Sequence, residues 1–200
     1  MVLSELGLVV AGLALAGSGL LVVRRRIEPA TVLWSLGGLV FAAVSILLAV
    51  LGTKLLEINV SSLVGSLYPA FLALGVIAAH TKWWKPLGLV YLILLAGIAI
   101  GIFTNLEVLK GASHGILHGS AGLILVLLPA YYYYRLGISR WSLAVSLGGL
   151  TISVGGIVLA LASAGVPWAA EIVASALYPV LVISALLLAA GYIGSEGFKR

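Results

Sequence analysis

Polar positions along this chain are few and clustered. Between the clusters run long apolar blocks with no strand-like alternation. A helix needs about 20 mostly apolar residues to cross a bilayer, and seven blocks reach that length. They cover about residues 2–23, 30–52, 60–80, 86–104, 113–134, 141–163 and 168–193. The first stops at Arg24-Arg25-Arg26, the third at Lys82-Trp83-Trp84-Lys85, and the fourth starts at Pro86, a favoured first-turn residue. Short loops between blocks predict antiparallel neighbours and a single transmembrane domain over 1–200.

Composition agrees. Of the 200 residues, 62% are hydrophobic and only 8% charged, against about 25% charged in soluble domains. Cysteine, aspartate and glutamine are absent. No disulfide, thiolate metal site or cysteine nucleophile is therefore available. The loss of labile side chains also suits a thermophilic source. The net charge of +5 lies at block ends and not on one basic face, so it signals topology, not nucleic-acid binding.

Orientation follows from those charges. With the N-terminus outside, nine Lys and Arg fall at inner ends: Arg24, Arg25, Arg26, Lys82, Lys85, Arg135, Arg140, Lys199 and Arg200. Two, Lys54 and Lys110, fall outside. The positive-inside rule then places the chain in the cell membrane, N-terminus out and C-terminus cytoplasmic. The first block has its charges after the apolar run, so it reads as a signal anchor and not a cleavable leader.

The blocks also repeat. Ser35-Leu36-Gly37-Gly38-Leu39 recurs as Ser146-Leu147-Gly148-Gly149-Leu150, and Leu67-Tyr68-Pro69 recurs as Leu177-Tyr178-Pro179, at offsets of 111 and 110. Arg24 falls on Arg135, and Ala11-Gly12-Leu13 falls on Ala121-Gly122-Leu123. The fold class predicted is an all-α membrane protein with two parallel three-helix repeats, about 2–80 and 113–193, and a linker helix at about 86–104. As a layout, three-one-three with an outside N-terminus resembles the sugar-efflux SWEET family. That family carries its prolines in the first helix of each repeat, whereas Pro69 and Pro179 lie in the third. Microbial rhodopsins share the helix count, but the seventh block has no lysine for a retinal Schiff base. No family is assigned.

Candidate chemistry is sparse. Glu171, Ser175 and Tyr178 are spaced i, i+4, i+7 and share one helix face; Ser61, Gly65 and Tyr68 are their counterparts in the third block. The prolines that follow the tyrosines free carbonyls one turn back, so two broken helices would frame a central substrate or proton path near mid-membrane. A kinked, merely packed helix is the plainer alternative. His114 and His118, at i, i+4, are titrating or weak metal candidates, though zinc wants three or four protein ligands. His-x-x-x-His also occurs in seven-helix membrane hydrolases of the ceramidase and progestin-receptor type, but their other ligands have no counterpart here. No catalytic set, metal site or cofactor site is predicted. Tyr131 to Tyr134, Trp83 and Trp84 read as interfacial anchors. Gly97, Gly101, Gly148, Gly149, Gly155 and Gly156 suit close helix packing, inside the bundle or against a partner subunit or second copy. The leading expectation is a small transporter or channel for a proton, a neutral solute or a lipid-like substrate. The alternative is a non-catalytic membrane subunit or lipid-binding protein.

Overall fold

The computed structural model describes residues 2–163 and 166–198. Those residues form eight helices: α1 (Val2–Val23), α2 (Pro29–Leu51), α3 (Lys54–Glu57), α4 (Ser61–His80), α5 (Trp84–Thr104), α6 (Glu107–Leu136), α7 (Ser142–Ser163) and α8 (Pro167–Gly194). All but the single-turn α3 are long and apolar enough to cross a membrane. In hydrocarbon a helix bonds every backbone group internally, which is why such sequences fold this way.

Two boundaries differ from the sequence reading. α3 fills what reads as a loop. α6 begins six residues before the expected Ser113, because Glu107 and Lys110 pair with each other at 2.6 Å along the helix. They thus supply the polar first turn of a helix instead of ending one. α6 stops at Gly137, whose φ of +66° suits a residue with no Cβ.

Six spans close into a ring. α1 packs on α2, α2 on α4, α4 on α6, α6 on α7, α7 on α8, and α8 back on α1. α5 stands outside, touching only α4 and α6 among the described residues. One end of the bundle carries Arg24, Arg25, Arg26, Lys82, Lys85, Arg135 and Arg140 and is here the basic end; the other, holding Lys54, Glu57, Glu107, Lys110 and Glu171, is the far end. Lys199 and Arg200 lie outside the described residues.

Glycine sets the helix spacing. A Cβ on Gly38 would come within 2.9 Å of the Leu15 and Ala16 backbone of α1, and one on Gly149 within 2.9 Å of Leu125 in α6. Gly75 and Gly191 abut the backbones of Ala30 and Trp34 and of Trp141 and Val145 in the same manner. Pro129 cannot donate to the Leu125 carbonyl, so Gly149 approaches a stretch of α6 lacking one helical bond. Of the six glycines singled out in the sequence, Gly97 and Gly101 meet α6, Gly148 and Gly155 meet α8, and Gly149 meets α6. Only Gly156 faces open space.

Candidate functional site in the bundle interior

The helix stripes that face the ring centre change character along their length. In the basic half they present Leu15, Trp34, Leu72, Val76, Leu125, Tyr132, Val145, Leu188 and Tyr192, all buried in one apolar cluster. In the far half α1, α2 and α8 stay packed, around Leu8, Leu48 and Leu55, while helical spacing carries the stripes of α4, α6 and α7 onto smaller or polar residues. There Leu72 gives way to Gly65 and Val145 to Gly156; Leu125 gives way to His118 and His114. Nothing among the described residues lies within 4 Å of a Cβ built on Gly65 or Gly156. The same is true of Gly111, Gly115 and Gly119 on α6. The seam between α6 and α7 is thus closed at Gly122, which meets Ser153, and farther out Gly115, Gly119 and Gly156 are exposed with no described residue against them.

His118 sits at that change. It lies one turn beyond Gly122, and Gly156 one turn beyond Ser153, so the two occupy one level. The His118 Nδ1 is buried and has no hydrogen-bond partner among the described residues. Its ring stacks obliquely on His114, centroids 4.2 Å apart. The His114 Nδ1 lies 3.0 Å from the Ser66 Oγ of α4. The Ser66 Oγ also lies 2.7 Å from the Ser62 carbonyl, so the hydroxyl has two acceptors in reach, and whichever way its proton points His114 keeps one donating and one accepting ring nitrogen when neutral. Pro69 cannot donate to the Gly65 carbonyl, which leaves another acceptor beside the open space. Two histidines, a serine and a freed carbonyl can bind or relay a proton or hold a small hydroxylated solute. Among the described residues no group of three metal-ligating side chains forms.

The sequence-predicted residues are placed less centrally. Glu171 and Ser175 are exposed near the far end, and Ser175 Oγ bonds its own helix at the Glu171 carbonyl, 2.9 Å away. Tyr178 OH donates to the Leu48 carbonyl of α2 at 3.2 Å. The Tyr68 ring meets Phe41 edge-on at 5.2 Å. Phe41 and Leu48 are seven residues apart, about 10 Å along α2, so the tyrosines are engaged at different levels. Ser61 sits in the first turn of α4, and α4 and α8 run through Pro69 and Pro179 without a break. Tyr68 packs against the main apolar cluster, so of that set His114 and His118 are the ones on the α6 stripe that reaches the open positions.

The basic end is closed by aromatic rings, which the sequence reading did not identify. Trp34 stacks flat on Tyr192 at 4.2 Å. Phe198, beyond the last span, inserts between Trp34, Tyr132 and Tyr192 with centroids 5.7–6.3 Å apart and is fully buried. His80 packs on Tyr132 at 4.3 Å. Glu196, Gly197 and Phe198 turn the chain inward with φ of +43°, +62° and +58°. Each left-handed non-glycine residue costs about 1–2 kcal/mol. Burying Phe198 returns about 1.5–3 kcal/mol, and its three edge contacts add about 0.5–1.5 kcal/mol each, so the inserted ring wins.

No family model, no curated protein and no solved structure matches the chain.

Proposed function

We propose that this protein is a small membrane transporter for a proton or a small neutral solute, with its polar site at Ser66, His114 and His118. The observation that carries the reading is the contrast along the axis: an aromatic plug at the basic end and, among the described residues, open space beside Gly65 and Gly156 next to a half-buried histidine whose Nδ1 has no hydrogen-bond partner. An intramembrane ionisable group is expensive and is normally retained for function. One end open and one end closed is one state of an alternating-access cycle. By the positive-inside rule the plugged end is cytoplasmic and the open half faces outward.

The ring supports a duplicated origin. Exchanging α1, α2 and α4 for α6, α7 and α8 maps every neighbour pair of the ring onto another, with α5 as the linker left over. The close contacts exchange as well. Gly38 on Leu15 corresponds to Gly149 on Leu125, and Gly37 on Leu72 to Gly148 on Leu188. Gly75 against Trp34 corresponds to Gly191 against Val145. The offsets are 110 in the first helix and 111 in the second but 116 in the third. The Tyr-Pro pair, at offset 110, is therefore not an equivalent pair in space, and Glu171 loses its place in the site.

The test is reconstitution into liposomes, with osmotic swelling against a panel of small polyols and sugars and an internal dye for proton entry. His118→Phe and Gly65→Leu should each cut the flux about tenfold, whereas Glu171→Gln should leave it unchanged. Flux equal to that of empty liposomes across the panel would favour the second reading, a non-catalytic membrane subunit. What speaks for that reading is the position of α5, outside the ring with much of its apolar surface exposed, including Leu89, Leu92, Ile93 and Phe103.

A further inference from the structure

A groove of about 400 Å3 lies outside the ring, between α4 and α5 at the basic end, within the size range of small-molecule sites. Gly88 makes it: where a side chain would fill the seam between the helices there is none, and the nearest atoms to a Cβ there are the Leu74 methyls at 3.9 Å. The walls are apolar, with Phe71, Leu74, Leu92 and Leu95 among them. One end is not. Lys85 lines the groove at the first turn of α5, its Nζ 5.9 Å from the centre of the Trp84 ring. Among the described residues Lys85 is in no ion pair, and the nearby Lys82 is exposed and adds a second positive charge. Glu28, at the same end, is already paired with Arg26 at 3.2 Å.

The chemistry of the groove is that of an amphiphile: a cation at the level of the membrane surface, then an apolar channel running inward along two membrane-spanning helices. We infer that it binds one anionic phospholipid, phosphate at Lys85 and one acyl chain past Gly88 toward Leu95. The groove opens sideways toward lipid and not into the ring, so its occupant comes from the leaflet. A tryptophan and a lysine at the mouth are the usual company of lipid headgroups. This site is separate from the histidine site and does not depend on transport.

The full-length protein, purified in detergent, tests it. It is incubated with dioleoyl-phosphatidylglycerol or dioleoyl-phosphatidylcholine, and bound lipid is counted by native mass spectrometry. Wild type should retain one phosphatidylglycerol about tenfold more readily than phosphatidylcholine. Lys85→Gln should remove the preference, and Gly88→Leu should remove the bound lipid of both kinds. Gly88→Ala, whose methyl meets only ordinary contacts, should weaken retention partially, and it keeps the test decisive if the leucine variant fails to fold. Arg25→Gln, at the neighbouring basic cluster, should leave the preference intact. Equal retention of the two lipids by wild type overturns the inference. So does a preference that survives Lys85→Gln, or one that Arg25→Gln abolishes instead.

Discussion

At the scale of single residues, glycine is where space is decided, and two competing terms set the sign of each substitution. Replacing a helical glycine by alanine gains about 0.8–1.0 kcal/mol of helix propensity. At Gly19 the new methyl would sit 2.6 Å from the Ser35 Cα, a backbone atom that cannot step aside. Overpacking of that kind costs about 1–3 kcal/mol. Gly19→Ala should therefore lower the thermal midpoint in detergent, while Gly156→Ala, with nothing near it, should raise it or leave it unchanged. The sequence named Gly156 among its packing glycines but had no means of telling it from Gly155, which meets Val180. Residue chemistry was legible in the same partial way. The spacing of His114 and His118 announced a pair on one face; Ser66, their partner on another helix, is 48 positions away in the chain. Glu171 was the natural choice for a buried carboxylate. Its exposure depends on how α8 is rotated in the ring, and that information lies in the partners of α8.

At the scale of elements, the spans were readable because crossing hydrocarbon demands length and apolarity, both local properties. Ends defined by charge were less readable, as α6 shows: Glu107 and Lys110 look like a loop until they are seen to pair along a helix. The tail after α8 was missed for a related reason. Phe198 is one apolar residue between Gly197 and Lys199, too short a signal to suggest an element. Phe198→Ala should remove three ring contacts and destabilise the bundle by about 3–5 kcal/mol, the range for losing a buried aromatic. Unfolding followed by tryptophan fluorescence would check it, since Trp34 lies in the same cluster. A change below about 0.5 kcal/mol would mean that the tail does not hold the plug.

At the scale of the whole molecule, the account rests on a ring packed throughout its basic half and, in its far half, packed at Leu8, Leu48 and Leu55 on the α1, α2 and α8 side but open at Gly65 and Gly156 on the α4, α6 and α7 side. The chain has no cysteine, so single-cysteine variants report one position each. A charged, water-soluble thiol reagent reacts neither with a thiol in a packed core nor with one facing lipid. It reacts only where water reaches. The deciding measurement is labelling of Gly65→Cys and Gly156→Cys beside Leu72→Cys and Val145→Cys, in reconstituted, folded protein. The account predicts prompt labelling at 65 and 156 and none at 72 and 145 until denaturant is added. Protection of all four positions, or equal labelling of all four, would contradict it.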